Sequence, residues 1–232
     1  MTTIYFVRHG QASFGAESYD KLSAVGENQA ELLGQYFKTL FPEPPVIISG
    51  AMQRHQQTAN ISLHQFMLNH NFDIDACWNE FDHHQVFAKF DPRFDQPALL
   101  KQEILSTSDP RAYLETIFEG AIERWVSGQY DDDYDETYVE FAKRIEQGLV
   151  RLKQQAQAQN IRNVVVYTSG GVISVIVGKV LGLDIKSTFE LNWSVVNASF
   201  TTIKLTKEKT QLLSFNEHHY IKSHDPKLLT WL

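Results

Sequence analysis

The chain is 232 residues long and 43% hydrophobic, with one cysteine and a formal charge of −7 from 28 acidic and 21 basic side chains. That size and apolar content suffice for one large core and predict a single soluble domain. The lone Cys77 excludes an internal disulfide, and no run approaches the roughly 20 apolar residues that cross a bilayer.

No basic region followed by an apolar core opens the sequence, so a signal peptide is not expected and the compartment expected is the cytoplasm. Five of the acids crowd into Asp131-Asp132-Asp133-Tyr134-Asp135-Glu136, and the remainder of the chain is close to neutral. The acidity is therefore local. No basic stripe exists elsewhere, which argues against nucleic acid as a partner, and a membrane is not expected either. The acidic run predicts a solvated loop, since it lacks the glycine and terminal glutamate of a calcium loop.

In chain order, Ile4-Tyr5-Phe6-Val7 predicts a buried strand that runs into Arg8-His9-Gly10. This puts an imidazole, neutral and nucleophilic over much of the physiological range, beside a permanently charged guanidinium whose fork matches phosphate oxygens. Gly10 permits a tight turn there. Leu22-Ser23-Ala24-Val25-Gly26-Glu27 predicts a helix start with Ser23 as its cap and Glu27 at the positive end of the dipole. Ala30, Leu33, Phe37 and Leu40 continue that helix at its own period. Val46-Ile47-Ile48-Ser49 predicts a second strand leading into a helix that carries Arg54. His55 follows Arg54 by about 100° around that helix and is expected to face elsewhere.

Residues 72–77 predict a strand that buries Cys77 as an inert thiol, and Trp78-Asn79-Glu80-Phe81-Asp82 follows it. Helices are predicted near 97–106 and 110–127. The aromatics of this stretch, from Phe87 to Tyr130, are expected to pack a core, and Lys89, Arg93 and Arg124 to lie at the surface. Val139, Ala142, Ile145, Leu149, Leu152 and Ala156 predict one long amphipathic helix over about 136–159. A strand over 162–168 leads to Ser169-Gly170-Gly171, after which Val172 to Leu181 is apolar nearly all round and predicts a helix buried behind a pocket. With further strands near 197–206 and 211–216, the pattern predicts a mostly parallel sheet binding its ligand outside the carboxyl ends of the strands.

Three of these segments carry a resemblance. They are the strand ending in Arg8-His9-Gly10, the leucine-serine-x-x-glycine start from Leu22 to Gly26, and the serine-x-x-x-x-arginine-x-x-glutamine-threonine-alanine turn from Ser49 to Ala59. Together they resemble the histidine phosphatase superfamily, also called phosphoglycerate mutase-like, over residues 1 to about 60 and again from near 162. The resemblance implies one α/β domain over 1–232, a three-layer α/β/α sandwich with a helical insertion at about 81–135 roofing the active site. It implies that His9 accepts a phosphoryl group, that Arg8 and Arg54 hold it, and that Glu80 donates the proton to the leaving oxygen; half-burial between Trp78 and Phe81 is expected to raise the Glu80 carboxyl pKa toward neutrality. Ser169 and Gly170 then belong to the phosphate site. The expected activity is a phosphomonoesterase working through phosphohistidine on a small phosphorylated substrate, with no cofactor and no metal.

Two departures accompany the match. Ser169 stands where the family usually has a second histidine, so a charge-assisted donor is replaced by a neutral hydroxyl. Compensation is expected either from the amides of Gly170, Gly171 and Val172 at a helix start or from His83 entering the vacated place. The loop Gln11-Ala12-Ser13-Phe14-Gly15 lacks the glutamate-threonine and asparagine that the mutases carry, which disfavours mutase activity and leaves Gln11 and Ser13 as accessory phosphate contacts. A binding protein that kept the pocket and lost turnover is the alternative from another class; a proton donor such as Glu80 has no use there. His83-His84 and His218-His219 lack metal-ligand spacing, His219 is expected to be structural, and the glycine fingerprint of a dinucleotide site is incomplete.

Overall fold

The apolar run after Met1 forms β1 (Thr2–Arg8), and the helix that Ser23 caps is α1 (Ala24–Leu40), its Gly26 amide donating to Ser23 Oγ at 3.1 Å. A computed structural model describes residues 1–13, 20–66 and 71–231. Then come β2 (Val46–Ser49), α2 (Gln53–Phe66) and β3 (Asp73–Ile74). The strand expected over 72–77 is cut to two residues: Asp75 accepts from the Cys77 amide and turns the chain into a 3-10 turn, Ala76–Trp78, in which Cys77 is buried. Next are α3 (His83–Phe90), α4 (Pro97–Ser106), α5 (Pro110–Val126) and α6 (Tyr138–Ala158). The chain finishes with β4 (Asn163–Thr168), α7 (Gly170–Leu181), α8 (Ile185–Ser194), β5 (Phe200–Leu205), β6 (Thr210–Glu217) and α9 (His219–His224).

The chain divides into two units: Met1–Glu80 with Ile145–Leu232, and Phe81–Arg144. In the first, six strands form one mixed sheet in the order β3-β2-β4-β1-β5-β6. The first four are mutually parallel, β5 pairs antiparallel with β1, and β6 pairs antiparallel with β5. Both faces are covered, which is why Val164, Val165, Val166 and Tyr167 of β4 read as an unbroken apolar run and are all buried. On one face Val7, Val165 and Tyr167 pack with Leu33 and Phe37 of α1, Ala59 and Leu63 of α2 and Tyr220 of α9. On the other, Phe6 meets Trp78 at 5.5 Å between ring centroids. As expected, α7 is buried from Gly170 to Gly178.

The second unit has an aromatic centre: the Trp125 ring lies 4.7 Å from Phe81 and 5.7 Å from Phe141, and its indole N–H donates to the Glu136 carbonyl at 2.9 Å. Asp82 and Asp109 cap α3 and α5 through the amides of Gln85 and Ala112. The charged residues of this unit are tied to one another. Arg93 pairs with Asp91 and Glu103, Arg124 with Asp133 and the Tyr134 hydroxyl, and Arg144 with Glu136. The acidic run is therefore only partly a solvated loop, because Asp133 and Glu136 anchor arginines. Val139 is not on the buried stripe of α6 but 65% exposed; it lies two residues, about 200°, from Phe141, which takes the inward place.

Candidate active site at the strand ends

β1 and β4 are neighbours in parallel register, with Arg8 opposite Thr168, so the next residues of each, His9 and Ser169, leave the sheet side by side. The backbone at His9 is held on both sides: its amide donates to the Thr168 carbonyl at 2.9 Å, and its carbonyl accepts from the Ala198 amide at 3.1 Å and from Asn197 Nδ2 at 3.3 Å. Ala198 adopts φ +58° to aim that amide, a conformation that L side chains rarely adopt. Gly10 and Gly26 explain their places in the sequence pattern. A Cβ on Gly10 would come within 2.4 Å of the Gly26 carbonyl oxygen, so the loop after His9 lies directly on the start of α1.

The His9 ring is oriented by its own chain. Nδ1 lies 2.7 Å from the Gly10 carbonyl oxygen, which can only accept, so the proton sits on Nδ1 and the lone pair on Nε2. Toward that Nε2 points the Nε–H of Arg54, at 3.1 Å. Arg54 stands in the first turn of α2, and its Nη1 donates to Asp20 Oδ1 at 3.0 Å while Asp20 Oδ2 accepts from the Gln53 amide at 2.7 Å. Thr58, one turn later, accepts from the Gly10 amide at 3.0 Å and donates to the Arg54 carbonyl at 2.7 Å. Gln57 accepts from the Leu22 amide at 2.8 Å, and Ala59 packs in the core. The glutamine-threonine-alanine pattern is thus a joint between α2 and the two ends of the connection from β1 to α1.

His55 overturns its expectation. It faces the strand ends, with Nε2 2.6 Å from Ser169 Oγ and its ring 5.6 Å from that of His9. The first turn of α2 lies across the ends of both β1 and β4, so two side chains about 100° apart each reach one strand end. The imidazole standing at Ser169 is that of His55. His83 belongs to the second unit, where it opens α3 with its ring edge-on to Phe87.

Glu80 meets the start of α7. Its Oε2 accepts from the Gly171 amide at 2.9 Å, and a Cβ on Gly171 would lie 2.3 Å from Oε1. Of the three amides expected to face an anion, the one at Gly171 therefore holds this carboxylate. Gly170 is packed closely too, a Cβ there falling 2.3 Å from Asn192 Oδ1 and 3.7 Å from Arg8 Nε. Arg8 directs Nη1 to the Val195 carbonyl and Nη2 to the Trp231 carbonyl, the latter at 2.9 Å. Gln11 and Ser13 are bound into the joint with α1: Ser23 Oγ donates to Gln11 Oε1 at 2.9 Å, and Ser13 Oγ donates to the Leu22 carbonyl at 3.0 Å. Phe14 and Gly15 of the same loop lie outside the described residues.

Burial sets the electrostatics. His9, Arg54, His55 and Ser169 are 6%, 3%, 0% and 1% exposed. Loss of water holds the His9 pKa well below the usual histidine value; the Arg54 charge, His55 and the Arg8 charge push the same way, and the Gly10 carbonyl opposes them. His55 is likewise held well below its usual value, by burial first and then by Arg54. Both rings are neutral near pH 7. Among the described residues, no three or more His, Cys, Asp and Glu side chains gather as a metal site. His218 and His219 stack on each other, and His218 Nδ1 is held by the Asn216 carbonyl at 2.6 Å.

Sequence reasoning missed His55, Asp20, Thr58 and Asn197 as parts of this site. For His55 and Thr58 a signal existed, since both fall in the first turns of the arginine-bearing helix, where polar residues are otherwise wasted on a core. Asp20 and Asn197 are brought in by long-range contacts that no local pattern announces.

A neutral, tautomer-fixed histidine at a strand end, faced by a buried arginine beside a helix start, sits on an α/β fold with a mixed sheet. The chain belongs to the histidine phosphatase superfamily (branch 1), whose model matches residues 4–91 and 107–218. No curated protein matches the sequence. Solved structures do. A phosphoglycerate mutase from Bacillus anthracis str. Sterne is 18% identical, with 95% of each chain covered and a TM-score of 0.65. An alpha-ribazole phosphatase from Shigella flexneri is 17% identical, over 93% of this chain and 96% of that one, at 0.57. A phosphoserine phosphatase (mutant H9A) from Entamoeba histolytica, in complex with phosphoserine, is 16% identical, over 95% and 100%, at 0.59. At such identities the likeness is one of fold. No helix among the described residues is long and apolar enough to cross a membrane.

Proposed function

We propose that the protein is a phosphomonoesterase that cleaves small phosphorylated molecules through a phosphohistidine at His9, without a metal. The observation that carries this reading is the His9 ring itself: Nδ1–H is committed to the Gly10 carbonyl, so the one nucleophilic lone pair is on Nε2, the atom Arg54 addresses. A phosphoryl group arriving there offers Arg54 charged oxygens in place of that lone pair, and the guanidinium follows the charge while Nε2 attacks phosphorus. As the Nε2–P bond forms, the ester P–O bond breaks, its electron pair leaves with oxygen, and the Glu80 carboxyl supplies the proton. Water then attacks phosphorus, gives its proton to Glu80, and the P–N electron pair returns to Nε2. The products are an alcohol and inorganic phosphate. Membership of the superfamily and the phosphatases among the similar folds support the hydrolytic outcome.

The test is incubation with p-nitrophenyl phosphate in the presence of EDTA. Phosphate release, an acid-labile adduct on His9, and loss of at least about 10⁴-fold in kcat in His9→Ala are expected. Bound phosphate without turnover would instead make it a binding protein. Isomerised 3-phosphoglycerate would make it a mutase.

A further inference from the structure

Ser169 occupies the N-cap position of α7, yet its hydroxyl makes no capping bond. It is turned instead to His55 Nε2, at 2.6 Å, both groups being buried. The other ring nitrogen of His55, Nδ1, is buried with no hydrogen-bond partner and faces Gly50, where a Cβ would come within 2.2 Å of it. A buried N–H without an acceptor is among the rarest arrangements in folded proteins. The proton of neutral His55 therefore sits on Nε2 and is donated to Ser169 Oγ, which leaves the serine hydroxyl proton to be given away on its other side. His9 leaves the neighbouring strand end, its ring 5.6 Å from the His55 ring.

We propose that His55 and Ser169 together replace one imidazole: His55 orients and polarises Ser169, and the Ser169 hydroxyl donates to an oxygen of the phosphoryl group in transit to His9. A hydroxyl that accepts a strong hydrogen bond becomes a better donor, the cooperative effect of a two-member chain. No proton leaves the pair during the step; only the hydroxyl hydrogen is redirected. His55 is a positioning residue acting through Ser169, and Gly50 is its counterpart, the position at which any side chain would dislodge the ring. The inference rests on the phosphomonoesterase reading above, and its test is chosen to separate the two.

In the full-length protein with p-nitrophenyl phosphate, His55→Phe keeps a ring but no donor and is expected to lower kcat about 10- to 100-fold with KM changed less than about twofold. Ser169→Ala is expected to fall by a similar factor, and the double variant to fall no further. His55→Gln, whose amide can donate to the same hydroxyl, is expected to recover most of the loss. Multiplying losses, unchanged kcat in His55→Phe, or no recovery in His55→Gln would overturn the proposal. Nitrogen-15 shifts of the wild-type ring give a check that needs no variant: a proton on Nε2 is expected, and one on Nδ1 would overturn it. If the wild type does not cleave the ester, the phosphomonoesterase reading fails by itself. The pair is then judged by inorganic phosphate affinity, about tenfold weaker in both His55→Phe and Ser169→Ala if the pair holds the anion, and equal to wild type if it does not.

Discussion

The two units bury different things. In Met1–Glu80 with Ile145–Leu232, the ends of β1 and β4 hide two histidines, an arginine, a threonine and a serine from water, each bound to another polar group. In Phe81–Arg144 the interior is aromatic and aliphatic, and the charged side chains pair along its surface. Burying polar groups stabilises a fold little and costs much when one partner is lost, whereas an aromatic cluster gains from every Å² it covers. The first unit therefore carries an arrangement that stability alone would not favour, and the second is organised as stability favours. Chemistry belongs where the polar burial is.

The sharpest way to break this contrast is Arg54→Lys. Lysine keeps the charge but cannot address His9 and Asp20 with a rigid fork, so a loss of about 100- to 1000-fold in kcat is expected; a loss under threefold would mean that charge alone suffices. Thr58→Val comes next. It leaves the Gly10 amide without its acceptor, and denaturant melts should show about 1–3 kcal/mol less stability, with activity falling in step.

A smaller effect is the acid response. Because His9 and His55 stay neutral in the folded chain below the usual histidine value, the unfolded chain binds protons that the folded one refuses. Stability is then full above about pH 6.5 and declines as pH falls, by up to about 1.4 kcal/mol per pH unit for each ring. Comparing urea melts of wild type and His55→Gln at pH 7.5 and 5.5 should show a shallower decline in the variant. The smallest effect belongs to the second unit. Arg93→Gln removes an exposed pair and is expected to leave kcat/KM within about twofold; a tenfold fall would place an anion contact there.

What was legible in the chain was whatever lies contiguously. Arg8-His9-Gly10 and the Ser23 cap are each local runs, and the alternating strands and helices followed from period alone; the contact of Gly10 with Gly26 joins positions sixteen apart and had no local sign. His55 was misjudged because helical angle fixes the direction of a side chain but not how wide a target faces the helix. The sheet's antiparallel edge, β5 and β6, places Ala198 against His9, and its positive φ has no signature in an alanine. Cys77 fell outside its expected strand because the Asp75 side chain captured its amide first.

The carbonyl of Trp231 receives a hydrogen from Arg8, across 223 positions of sequence. Residues 228 and 230 are fastened nearby by the side chain of Gln29. During synthesis, then, the guanidinium next to His9 waits until residue 231 has left the ribosome before its hydrogen bonds are complete, and a nascent chain halted before Leu228 would hold every strand while Arg8 and Gln29 still lacked these partners.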